Sequence, residues 1–201
     1  MSTYTAREDS HVFKVINLLQ NYKFEWAIAG GWCRDMIQRK QPKDLDIIIC
    51  NVDYISKGAM RDFEAELKAL GSSREEFDAS GGQELSKVIA AGDEVPIDLI
   101  FWKGKYKTIE SIVSRFDTNM NQFILNKEGD IKFLGENRGV MHLIKSSRSG
   151  SMTQERFERM LVVANKLGWD LSKEVETLAL EGLPKNRDND CFGDLGVSVA
   201  P

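Results

Sequence analysis

The stretch Ala27–Cys50, AIAGGWCRDMIQRKQPKDLDIIIC, decides how this chain is read. It opens on the end of an apolar run, Glu25–Ala29, that has the length and composition of a short strand. The run stops at Gly30-Gly31, and helical spacing follows from Trp32 to Arg39. Paired glycines let the backbone approach another group closely, and the N-terminus of the following helix offers unpaired N–H groups to an anion. Pro42 ends the helical pattern, and Leu45–Cys50 is an apolar, β-branched strand. Asp44-Leu45-Asp46 stands at its start, thirteen residues after Gly31. Residues i and i+2 of a strand point to one side, so the two carboxylates share a face. Such a pair repels unless a cation lies between its members, and an all-oxygen donor set suits Mg²⁺ or Mn²⁺.

Working outward, Ser10 or Asp9 caps a helix with Val12, Val15, Ile16 and Leu19 on one face. Met60–Leu70 reads as a helix. Leu85–Ala91 and Val95–Trp102 read as a hairpin turning at Gly92-Asp93-Glu94. The second of these strands carries Asp98 between Ile97 and Leu99, where an unpartnered carboxylate is costly to bury. If it lies beside Leu45–Cys50, three acids converge: Asp44, Asp46 and Asp98. Thr108–Phe116 is helical, and Gln122–Leu125 with Ile131–Leu134 forms another hairpin through Glu128-Gly129.

The character changes near Lys145. The polar loop KSSRSGS leads to Ser151-Met152-Thr153-Gln154, whose spacing fits a capping box. The helix behind it carries Phe157, Met160, Leu161, Ala164 and Leu167 on one face, and a second starts near Asp170 and stops at Gly182 and Pro184. The expected organisation is therefore a mixed α and β domain over 1–145, a helical appendage over 146–185 and a flexible tail over 186–201.

Composition bounds the function. The chain has 201 residues, 42% apolar and 29% charged, which is ordinary for a globular protein. No apolar run is long enough to span a membrane, and MSTYTARED lacks a signal core, so a cytoplasmic protein is expected. Cys33, Cys50 and Cys191 have no metal-ligand spacing and read as free thiols; His11 and His142 are isolated. The net charge of −4 argues against a dedicated nucleic-acid coat. Lys145–Trp169 is locally basic, whereas Asp188–Pro201 is acidic.

A lone glycine pair is commonly just a turn, and a lone D-x-D commonly a solvated strand edge. Their order here, GG-x-x-R-D and then D-x-D, resembles the signature of the polymerase-β-like nucleotidyltransferases. The form is most similar to the head domain of class II tRNA CCA-adding enzymes and bacterial poly(A) polymerases. Gly30, Gly31, Arg34, Asp35, Asp44 and Asp46 match that pattern, while Cys33 stands where those proteins have Val and Arg39-Lys40 replaces a Gly-Arg pair. Asp117 and Asn121 match part of a second motif that approaches the nucleotide's sugar and phosphates. Arg156, Arg159, Leu167, Gly168 and Trp169 match a third, with Val162 in place of an Arg. No convincing copy of the base-reading E-D-x-x-R motif is present. Short phage-encoded and toxin-like nucleotidyltransferases are of similar size.

The resemblance implies an α+β fold with a mixed, mainly antiparallel sheet and flanking helices. It implies transfer of a nucleoside monophosphate from an NTP, with two Mg²⁺ (or Mn²⁺) ions held by Asp44, Asp46 and Asp98. Nucleotide contacts are expected from Gly30, Gly31, Arg34, Asp35, Asp117, Asn121, Arg156 and Arg159. An RNA 3′ end, tRNA-like in kind, is the expected acceptor, and a homo-oligomer would supply a short head with a substrate groove. The competing expectations are a nucleotidyltransferase acting on a small molecule such as an antibiotic, or on a protein, and a catalytically silent nucleotide-binding module. Trp32 fits the small-molecule form, since antibiotic nucleotidyltransferases carry GG-W.

Overall fold

The computed structural model describes residues 10–75, 83–88, 95–102, 108–126, 129–144, 152–181 and 183. They fall into two compact units, one drawn from Met1–Ser114 and Met120–Gly135, the other from Arg115–Asn119 and Glu136–Pro201.

The first unit is a mixed, mainly antiparallel sheet with helices. Its elements are α1 (His11–Asn21), β1 (Glu25–Ala29), α2 (Gly31–Ile37), β2 (Leu45–Cys50), α3 (Lys57–Ala69), β3 (Ser72–Glu75), β4 (Gln83–Val88), β5 (Ile97–Trp102), α4 (Ile109–Val113), β6 (Phe123–Leu125) and β7 (Ile131–Phe133). The strand order is β3-β4-β5-β2-β1-β6-β7. Every neighbouring pair is antiparallel except β2 and β5, which run parallel.

Strand β2 is central, and Leu45, Ile47, Ile48, Ile49 and Cys50 are fully buried. Burial of each Ile contributes about 2 kcal/mol, which explains an almost unbroken apolar run rather than an alternating one. β5 alternates instead: Ile97, Leu99 and Phe101 are buried, and Asp98, Ile100 and Trp102 are half-exposed. Phe101 meets Phe63 of α3 edge-on at 6.0 Å, and Phe24 meets the same ring edge-on at 4.8 Å. The odd-numbered face of β5 therefore looks toward α3. Asp98, of the opposite parity, is turned to the other face.

Local signals account for the helix ends. Ser10 caps α1 by accepting from the Phe13 amide at 3.1 Å, and Ser56 caps α3 through Ala59. α2 ends at Ile37, two residues before the expected limit, because Arg39 takes a left-handed backbone at φ 55°. Strands β1 and β2 have the expected bounds. The 92–94 turn lies outside the described residues, but β4 and β5 pair antiparallel as a hairpin requires.

The second unit holds β8 (Val140–Met141), α5 (Gln154–Leu167), β9 (Asp170–Leu171) and α6 (Lys173–Glu181). β8 and β9 pair in parallel. Phe157, Met160 and Ala164 are the buried face of α5, and Val175 that of α6. The cap of α5 is Thr153, which accepts from the Arg156 amide at 3.2 Å, rather than Ser151. Asp170 opens a two-residue strand rather than a helix, because its amide is taken by the Gly139 carbonyl at 2.8 Å. Among the described residues no helix is long and apolar enough to cross a membrane.

Candidate active site

The turn between β1 and α2 is shaped by its two glycines for different reasons. Gly30 has φ 79° and ψ −144°, a conformation nearly reserved for glycine. Its amide donates to the Phe123 carbonyl at 3.0 Å, which ties the turn to β6. Gly31 has no such strain, but a Cβ there would lie 3.2 Å from Nη2 of Arg34. The guanidinium rests against the turn because Gly31 leaves room for it.

Arg34 is buried, with 8% of its surface exposed. Its Nε donates to Asp35 Oδ1 at 2.8 Å and its Nη1 to Asn121 Oδ1 at 2.7 Å. Charge-assisted bonds of this kind hold a guanidinium plane in one orientation. Arg34 and Asp35, adjacent in sequence, thus form one cluster at the glycine turn with the distant Asn121. Cys33 packs beside it, its thiol donating to the Ile28 carbonyl at 3.4 Å. Burial pushes this thiol well above its ordinary range, and the neighbouring Asp46 carboxylate adds to the effect.

Asp46 is the register partner of Ala29 on one side and of Asp98 on the other. Ala29 immediately precedes the glycine turn. Directly opposed residues of neighbouring strands point to the same face, with strands about 4.8 Å apart. Two carboxylates therefore stand side by side, one strand over from the turn, and both are half-exposed. Asp44 precedes β2 and is exposed. Among the described residues no three His, Cys, Asp or Glu side chains are gathered closely enough to hold a metal ion. The expected convergence of three acids is, in this structure, a convergence of two. Asp46 and Asp98 form an oxygen-only pair of the kind hard divalent cations prefer.

The remaining expected residues lie in the second unit. Asp117 is buried; its Oδ1 accepts from the Thr118 amide at 2.8 Å and its Oδ2 from Arg156 Nε. Arg159 is exposed on α5, three residues from Arg156. The residue missed from sequence is Asn119, 1% exposed. Its Nδ2 donates to the Glu136 and Val140 carbonyls, and its Oδ1 accepts from the His142 amide. It staples Arg115–Asn119 to 136–142. Its role rests on burial and on bonds to residues 17 to 23 positions away, neither of which is visible in sequence.

Comparison with solved structures gives the architecture its context. A tRNA-processing enzyme in an apo form superposes with TM-score 0.56 at 17% identity, covering 90% of this chain and 48% of its own. A tRNA nucleotidyltransferase complexed with a primer tRNA and an incoming ATP analogue gives 0.54 at 18% identity, covering 82% and 48%. The Bacillus stearothermophilus CCA-adding enzyme in complex with CTP gives 0.51 at 14% identity, covering 84% and 42%. The chain has the polymerase-β-like nucleotidyltransferase fold. It spans about half the length of these relatives. No protein-family profile matches this sequence, and no curated protein does.

Proposed function

We propose that this chain transfers a nucleoside monophosphate from an NTP to an acceptor hydroxyl and releases pyrophosphate. The observation that carries the reading is the row Ala29, Asp46, Asp98 across β1, β2 and β5, with the Gly30-Gly31 turn at its end. A carboxylate pair beside a turn that admits close backbone approach suits a triphosphate and its counter-ions.

Asp46 and Asp98 are the residues that would hold Mg²⁺ or Mn²⁺; the resemblance implies two ions and Asp44 as a third donor, which is exposed before β2 and not gathered with the pair. Such ions, when bound, neutralise the triphosphate and polarise the reacting phosphorus. Gly30 and Gly31 receive the triphosphate, and the Arg34 guanidinium behind them offsets its charge. The acceptor oxygen bonds to the α-phosphorus as the bond to the β-phosphate oxygen breaks. Asp98 takes the hydroxyl proton, and the pyrophosphate leaves. Asp35 belongs to the same nucleotide-binding set, and the resemblance assigns nucleotide contact to Asp117, Arg156 and Arg159 of the second unit as well.

An RNA 3′ end is the favoured acceptor, because a solved protein of this fold is described in complex with a primer tRNA. Trp32, which fitted a small-molecule form, is 2% exposed and serves the core.

The test is transfer of label from α-phosphate-labelled NTPs into total RNA, aminoglycosides or protein, with and without Mg²⁺. The wild-type protein should label RNA, and D44A/D46A should not. Undiminished transfer by the double variant would overturn the assignment. Label entering only small molecules or protein would replace the acceptor.

A further inference from the structure

We infer that Asn121 is a positioning residue that acts on the glycine turn through Arg34, rather than a residue that touches nucleotide; its consequence for nucleotide binding rests on the function proposed above. A guanidinium has only donors, so the Asn121 atom facing Nη1 is the carboxamide oxygen. Asp35 takes Nε, leaving Nη2 against Gly31, at 3.2 Å from where a Cβ would stand. One residue beyond Asn121's neighbour Gln122, the Phe123 carbonyl accepts from the Gly30 amide. The segment entering β6 therefore grips the turn twice, once by backbone at Gly30 and once by side chain through Arg34.

Gly30 needs that second grip. Its φ of 79° with ψ −144° is open to glycine but not preferred over its many alternatives, and glycine loses more freedom on ordering than any other residue. The guanidinium packed under Gly31 restricts those alternatives. Asn121 and Asp35, acting from two sides, keep the guanidinium in place. Buried at 8% exposure, Arg34 has little room to reorient once both bonds are made.

The experiment has two arms. In the free protein, amide hydrogen exchange is followed at Gly31–Arg34. N121A should speed exchange there several-fold and leave Ile47–Ile49 of β2 unchanged; N121D, which keeps an oxygen toward Arg34 but no amide donors, should exchange like wild type. Exchange unaltered in N121A, or altered equally in N121D, overturns the inference whatever the protein binds. In the second arm MgATP and Mg-2′-deoxy-ATP binding are measured by calorimetry. N121A should weaken both by about tenfold, keep their ratio, and add nothing in an R34A background. A loss that persists in R34A, or that falls on ATP alone, means Asn121 meets the nucleotide itself and overturns the inference. If wild type binds neither nucleotide, the proposed function fails while the exchange arm still decides the positioning role.

Discussion

At the scale of single residues, two adjacent glycines and two thiols make opposite demands on their surroundings. Gly30 is strained for any other residue, so G30A should cost about 1–3 kcal/mol. Gly31 has ordinary helical backbone, and its added Cβ at 3.2 Å from Nη2 requires the guanidinium to give by only a few tenths of an ångström. G31A should therefore unfold within about 1 kcal/mol of wild type. Urea denaturation of the two variants checks the order, and equal losses would mean that the Gly30 backbone is not held as described. The thiols are tuned by exclusion from water. Cys50 is fully buried, and that burial, with Glu25 close by, pushes its pKa from 9.0 up to about 12. Cys33 shifts in the same direction, mainly by burial. A raised folded-state pKa in an acid means that the unfolded chain ionises first. The stability is complete below about pH 9 and is lost as pH rises from there toward 12. Thermal denaturation of a C191S variant should accordingly be flat from pH 7 to 8.5 and fall above pH 9. Disulfide-exchange reagents at pH 8 should label Cys33 and Cys50 only after unfolding.

At the scale of elements, the parallel pairing of β2 with β5 brings the candidate site's carboxylates together. It sets Asp46 opposite Asp98, and two like charges about 5 Å apart repel by roughly 3 kcal/mol at an effective dielectric of 20, less where solvent reaches them. Removing one charge should relieve part of this. D46N is expected to be as stable as wild type or up to about 1 kcal/mol more stable in the presence of a chelator, whereas Asp98 also has Lys87 of β4 as its register partner, so D98N should gain less. Millimolar Mg²⁺ should raise the melting temperature of wild type and leave both variants unmoved. A rise of equal size in all three would place the cation elsewhere. This pairing is also where the sequence stopped being legible. The bounds of β1 and β2 were readable because β-branched and apolar runs end abruptly at Gly30 and begin after Pro42. That β5 lies beside β2, parallel and in the register that opposes the acids, depends on contacts some fifty residues apart and leaves no local pattern. β3 (SSRE) and β4 (QELSKV) carry few of the apolar residues that announce a strand, so the sequence shows no strand at β3 and sets β4 two residues late at its start and three at its end. The α5 cap moved from Ser151 to Thr153 because both are good caps two residues apart, and only the geometry of the turn chooses between them. Of the candidate site, the residue types were legible and their partnerships were not. Arg34 with Asn121, and Arg156 with Asp117, are pairs between positions 87 and 39 apart.

At the scale of the molecule, charge constrains what an RNA acceptor could be held by. The chain carries a net charge of −4, so its overall field repels a polyanion. One sequence stretch with a local excess of cations is Lys145–Trp169, which contains Lys145, Arg148, Arg156, Arg159 and Lys166 against Glu155 and Glu158. Arg156 is already engaged with Asp117, and Arg159 and Lys166 lie exposed on α5. Neutralising about three phosphates of a single strand gives a slope near −2 for log affinity against log salt, since each phosphate contributes about −0.7. Anisotropy of a labelled RNA 3′ end, titrated at salt from about 50 to 200 mM, should show a slope near −2. The labelled RNA should then lose only about tenfold to thirtyfold in affinity across that range. A slope steeper than about −5 would mean that cations outside this stretch grip the acceptor, and the RNA reading would survive with a larger interface than the charge pattern offers. A slope near zero would mean that phosphates contribute nothing. It would move the acceptor from RNA to a small hydroxylated molecule, while leaving the carboxylate pair and the glycine turn in the roles proposed for them.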